Sequence, residues 1–129
     1  MSIETSILYD TSALIDFYNG NNETVKNFFI DKATENLIPT VVIAELISKI
    51  KREGQDPFQF VKMLEKNSIV LNFNVLVAKK AGGLHSELRK NLTKISLIDC
   101  MIMVHAEIEN AMIITKDHHF KHYKNAKIL

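Results

Sequence analysis

The stretch ILYDTSALIDF, residues 7–17, runs an apolar segment into an acid and two hydroxyls, then returns at once to apolar residues. Ile7 to Asp10 reads as a short buried strand. Ser12 to Tyr18 reads as a short helix, stopped by Asn19, Gly20, Asn21 and Asn22. The same alternation continues along the chain. Glu23 to Ala33 is expected as a helix, and Leu37 with Ile38 as a brief strand ended by Pro39. Thr40 is expected to cap a helix reaching about Arg52, and Pro57 to open one ending near Lys66. Ser68 to Phe73 reads as a strand, Val75 to Lys90 and Ser96 to Asn110 as helices, Met112 to Thr115 as a strand, and Lys127 to Leu129 as a last one. Short apolar strands alternating with helices predict a three-layer α/β/α sandwich, its central sheet mainly parallel and covered on both faces. In such sheets ligands bind beyond the carboxyl ends of the strands, at a switch point.

The 129 residues fit one domain, residues 1–129, with enough chain to bury a core without staples. Sixteen basic and 15 acidic residues leave a net charge of +1, so no strong global field draws the protein to nucleic acid or membrane. A lone cysteine, Cys100, rules out an internal disulfide and fits a reducing interior. The start, MSIETSILYD, lacks a basic n-region, and no apolar run approaches the roughly 18 residues of a membrane helix. A cytoplasmic protein is expected.

The acids carry the chemistry. Asp10 ends the first strand, where it can also cap the following helix. Glu45 lies on the helix after the second strand, opposite Ile43, Leu46, Ile47 and Ile50, and Lys49 stands four residues on as an ion-pair partner. Asp99 forms a capping-box pattern with Ser96. Asp117 follows the strand MIIT and can cap the turn that begins at His118. Each has an ordinary structural use. Jointly, Asp10 and Asp117 follow parallel strands, while Asp99 and Glu45 lie on helices that follow loops, so all four are expected at one edge of the sheet. Clustered carboxylates repel one another and raise their own pKa values unless a cation neutralises them. Oxygen ligands suit Mg²⁺ or Mn²⁺.

Four segments in order, DTSALIDF, TVVIAEL, ISLIDCMIMVHA and AMIITKDHHF, resemble the acidic motifs of PIN-domain ribonucleases, and of VapC-type toxins of toxin–antitoxin pairs in particular. The likeness covers essentially the whole chain. It implies a metal-dependent endoribonuclease whose catalytic and metal-binding residues are Asp10, Glu45, Asp99 and Asp117, holding Mg²⁺ or Mn²⁺. Ser12 and Thr115 match family hydroxyls that hydrogen-bond the acids or the phosphate; plain capping is their other reading. The resemblance further implies an RNA substrate, a cognate antitoxin partner, a homodimer, and products with a 5′-phosphate and a 3′-hydroxyl. Some relatives carry a further acid where this chain has His118 and His119.

Competing readings remain. A non-catalytic PIN-like module binding RNA or protein would use the same surface. A haloacid-dehalogenase-like enzyme needs a second acid two residues after the first, where Ser12 stands. Cys100, flanked by apolar residues, reads as a buried structural residue. His118, His119 and His122 can be read as a zinc cluster or as a polar turn that contacts phosphate or lies exposed. Lysines and arginines fall into three clusters, Lys49 with Lys51 and Arg52, Lys79 with Lys80, Arg89, Lys90 and Lys94, and Lys116 with Lys121, Lys124 and Lys127, and the sequence does not say which would line a nucleic-acid path.

Overall fold

In the computed structural model, residues 5–129 are described; residues 1–4, read above for a leader segment, lie outside them. Strands β1 (Thr5–Tyr9), β2 (Thr34–Pro39), β3 (Ile69–Leu71), β4 (Met112–Thr115) and β5 (Ala126–Ile128) form one sheet in the order β3-β2-β1-β4-β5. All four strand pairs are parallel. The helices are α1 (Thr11–Asn19), α2 (Glu23–Ile30), α3 (Thr40–Arg52), α4 (Phe58–Lys66), α5 (Val75–Leu88) and α6 (Leu97–Glu109), with a short 3₁₀ helix at His118–His122. The expected parallel α/β architecture is borne out. Among the described residues no helix is long and apolar enough to cross a membrane.

The strand order decides where a site can form. From β1 the chain steps outward to β2 and β3, then returns to the other side of β1 for β4 and β5. The switch point therefore lies between β1 and β4, and a crevice opens beyond their carboxyl ends. Both strands are covered on two faces, which is why they read as continuous apolar runs. Ile7, Leu8, Tyr9, Ile113 and Ile114 are all fully buried.

Several boundaries differ from the sequence reading by a few residues, and three of them show why. α2 ends at Ile30, short of Ala33, because the Asp31 carboxylate accepts the Ala33 N–H at 2.9 Å and turns the chain. β2 then starts at Thr34, opposite Thr5, rather than at Leu37. Thr40 is the first residue of α3 and not its cap; Pro39 holds the cap position, and Thr40 Oγ1 instead accepts the Phe73 N–H at 3.3 Å. The buried stripe of α3 is Val42, Leu46 and Ile50, with Ile43 and Ile47 only half-buried. Val42 thus belongs to the buried stripe, and Glu45 stands on the border of the core.

One buried polar chain braces the sheet. The Tyr9 hydroxyl donates to Asn36 Oδ1 at 2.8 Å, and Asn36 Nδ2 donates to the Phe29 carbonyl at 2.9 Å. Tyr9→Phe removes the donor and strands a buried amide oxygen, so a loss of about 1–3 kcal/mol is expected in urea unfolding.

Candidate functional site

Asp10 follows β1 and occupies the cap position of α1, yet its side chain makes no capping hydrogen bond. The carboxylate is committed elsewhere. Thr115 Oγ1 donates to Asp10 Oδ2 at 2.7 Å, and Ser12 Oγ donates to the same oxygen at 3.0 Å. Both hydroxyls are themselves held by main-chain donors: Lys116 N–H reaches Ser12 Oγ at 2.9 Å, and Asp117 N–H reaches Thr115 Oγ1 at 2.9 Å. With their lone pairs engaged by amides, the hydroxyls are oriented to give their protons to Asp10. Both converge on one oxygen, so neither occupies Oδ1. Asp10 itself is only 6 % exposed, because it stands between two buried strand ends.

Glu45 sits in the second turn of α3, and its Oε1 accepts the Thr11 hydroxyl at 2.8 Å. The surface pair expected with Lys49 is absent; Lys49 instead lies 3.7 Å from Glu53. Asp99 completes the capping box with Ser96, at 3.0 Å for Asp99 N–H to Ser96 Oγ and 3.4 Å for the return bond. Asp117 Oδ1 accepts the His119 N–H at 2.8 Å and starts the 3₁₀ helix. Two of the acids thus cap helices, and that structural use also fixes where their carboxylates stand.

All four acids line one cleft of about 430 Å³ at the switch point, together with Thr11, Ser12, Asp16, Lys49 and Lys116. Of the basic clusters, therefore, Lys49 and Lys116 are the members at this cleft. Lys116 Nζ is 3.1 Å from Asp16 Oδ1, an ion pair across the cleft wall. Burial pushes the Asp10 carboxyl above the ordinary carboxylate range; the bonds from Thr115, the Thr11 amide and Ser12 oppose this, and the charge of Asp99 adds to it. Glu45 is also pushed up, chiefly by burial and then by Asp10 and Asp99, against the Thr11 bond. A carboxyl raised in the fold binds its proton more tightly there than in the unfolded chain. Its stabilising contribution is complete below the unfolded value, about 4, and is lost as pH rises through the folded value. In EDTA, the melting temperature of the wild type is thus expected to fall relative to Asp10→Asn as pH rises above about 4. A pH series of thermal melts on both proteins measures it, and parallel curves would contradict the reading.

The most compact group is not the four carboxylates. Asp99, Asp117 and His119 bring one ligand atom each within 4.8 Å of one another. His119 Nδ1 is 3.4 Å from Asp99 Oδ2 and 3.4 Å from Asp117 Oδ1. The three histidines form no cluster among the described residues, because the turn set by Asp117 sends His119 back toward the acids. The sequence does not announce this placement. Its one signal was the position of His119, two residues after an acid able to make a tight turn. The places of Thr11 and Asp16 are likewise unannounced. Cys100 is fully buried, as expected.

A family model described as the PIN domain matches residues 7–126. The chain belongs to the PIN domain family. No curated protein sequence matches it. Among solved structures, it is similar to VapBC2 from Rickettsia felis bound to a DNA fragment from its promoter, with a TM-score of 0.79 and 22% identity over 97% of this chain and 98% of that one. It is also similar to a toxin–antitoxin complex from Klebsiella pneumoniae, at TM-score 0.75 and 22% identity over 94% and 95%. A third is VapC20 from Mycobacterium tuberculosis, a sarcin-ricin loop cleaving toxin, at TM-score 0.73 and 12% identity over 92% and 95%. At these identities the likeness is one of fold, and it bears out the PIN-domain reading drawn from the four motifs.

Proposed function

We propose that this PIN-domain protein is a divalent-metal-dependent endoribonuclease that acts as the toxin of a toxin–antitoxin pair. The observation that carries the reading is the convergence of Asp10, Glu45, Asp99 and Asp117 on one cleft at the sheet's switch point, with two lysines on its walls. Structural neighbours that are toxin–antitoxin complexes or a sarcin-ricin loop cleaving toxin support the same class. They also support an antitoxin partner and an assembly larger than one chain, a homodimer in our reading. The catalytic unit is taken as one domain over residues 1–129.

The donor set fits a hard divalent cation. Asp10 and Glu45 are raised by burial and by neighbouring charge, so ionising them together calls for a positive charge in the cleft. Asp10, Asp99 and Asp117 would hold Mg²⁺ or Mn²⁺ directly or through water, with Glu45 completing the set. When bound, such an ion neutralises the acids and polarises a phosphodiester oxygen. The remaining work falls to the protein. Ser12 and Thr115 fix Asp10 through Oδ2 and keep it from rotating. Glu45, pinned by Thr11, accepts a hydrogen bond from the attacking water and aligns it with the scissile bond. Lys49 and Lys116 meet the phosphate charge and position the strand. In-line attack of water on phosphorus then leaves a 5′-phosphate and a 3′-hydroxyl.

The test is cleavage of a mixed RNA pool by the purified protein in Mg²⁺ or Mn²⁺ against EDTA. Cutting that stops in EDTA and returns with excess metal supports the nuclease. Metal binding without turnover on any RNA favours a non-catalytic PIN-like binding module instead.

A further inference from the structure

We infer that His119 is a nitrogen ligand of the acidic site and that it biases the site toward Mn²⁺ over Mg²⁺. The inference rests on the metal-site reading above and refines it.

The geometry is the starting point. His119 Nδ1 stands equally far, 3.4 Å, from an oxygen of Asp99 and an oxygen of Asp117. A charge-assisted hydrogen bond to either would close to about 2.7–2.9 Å. The ring has settled on neither acid. A separation of 3.4 Å is instead what two ligand atoms keep around one cation: with bonds of about 2.0–2.2 Å, neighbouring ligands lie roughly 3.0–3.5 Å apart. The three ligand atoms lie within 4.8 Å of one another, so rotation of the two carboxylates toward each other would bring one cation within reach of all three.

Each of the three is positioned from its own backbone. Asp99 is fixed by its capping box with Ser96, and Asp117 by accepting the His119 N–H at 2.8 Å. That same bond holds the His119 backbone where its ring stands beside Asp99 and Asp117, so the acid helps place the residue that would share its ion. The His119 side chain is 43 % exposed, so its removal leaves the core intact.

Donor chemistry gives the selectivity. Mg²⁺ holds to oxygen and keeps its waters. Mn²⁺ shares the preference for oxygen but, as a first-row transition ion, also takes mixed nitrogen and oxygen donor sets. One imidazole added to the carboxylates of the site should therefore let it discriminate between two ions that an all-oxygen site would treat alike.

The experiment is Mn²⁺ titration of the whole protein followed by electron paramagnetic resonance, with Mg²⁺ competition and pulsed detection of ¹⁴N coupled to Mn²⁺. Wild type, His119→Ala, His119→Asp, His118→Ala and Asp99→Asn are compared. Wild type and His118→Ala are expected to show imidazole ¹⁴N coupling, and His119→Ala to lose it. The Mg²⁺ needed to displace Mn²⁺ should fall roughly tenfold or more in His119→Ala, and further in His119→Asp, which restores an all-oxygen set. Mn²⁺ that binds, is lost in Asp99→Asn, and shows neither ¹⁴N coupling nor a shift in competition with His119→Ala overturns the inference and leaves the site reading standing. Coupling that survives in His119→Ala but not in His118→Ala also overturns it. No Mn²⁺ binding at all overturns the site reading, and this inference with it.

Discussion

Asp99→Asn is expected to reduce RNA cleavage by about 10²–10³-fold while leaving the melting temperature within a few degrees of wild type. The two halves of this expectation come from different atoms. In the proposed mechanism catalysis needs the negative charge, because Asp99 would hold the ion; its charge also acts on Asp10 and Glu45. The fold needs only the shape. Asn keeps an oxygen that can accept the Ser96 N–H, and the Asp99 main-chain N–H still donates to Ser96 Oγ. A cap of this kind contributes about 1 kcal/mol and survives the substitution. Losing a charge from the first turn of α6 costs a few tenths to about 1 kcal/mol through the helix dipole. Relief of repulsion with Asp10 and Glu45 offsets it. Cleavage of the RNA pool in Mn²⁺, measured beside thermal melts of the same preparations, separates the two. Equal cleavage by wild type and variant would trace the activity to a contaminant or to another site.

The same division between shape and charge explains how much could be read from the sequence. β1 and β4 were legible because strands buried on both faces become unbroken apolar runs, and the acid that ends such a run, as Asp10 does, stands out against it. Asp117 was legible for the same reason, and Glu45 and Asp99, which lie on helices, because the order of the four motifs fixed them on one topology. The α2–β2 boundary was not, because Asp31 takes the Ala33 N–H and ends a pattern whose composition continues. Glu45 was misread in its partner. A spacing of four residues suggested Lys49, but Thr11, 34 residues away, is brought alongside only by the fold. The Ser12–Thr115–Asp10 bonds span more than 100 positions and likewise have no local signature. His119 stood in plain view and still could not be assigned. Whether a residue two places after an acid turns inward depends on the Asx turn, which composition permits but does not require.

Asp10→Asn is expected to do two opposite things to the same protein. In EDTA at neutral pH it should raise the melting temperature by a few degrees, about what 1 kcal/mol does in a domain of this size. Wild-type Asp10 is held in a buried position that disfavours its ionised form, and Asp99 adds repulsion. The amide keeps one oxygen to accept the Ser12 and Thr115 hydroxyls, so neither buried donor is stranded. With Mn²⁺ in excess the order should reverse. A ligand at 100 times its Kd stabilises the native state by about 2.7 kcal/mol, and the variant, lacking one carboxylate of the set, gains far less. Its RNA cleavage should fall by about 10²–10³-fold. A functional acid placed where it destabilises the metal-free fold is the mark of a site built around a cation. An ordinary capping aspartate would change little on replacement by Asn, itself a good cap, and would gain nothing from metal. Melting curves of both proteins, with and without Mn²⁺, distinguish the cases. If Asp10→Asn melts below wild type in EDTA, or if Mn²⁺ stabilises the two equally, Asp10 is a structural residue and the ion sits elsewhere.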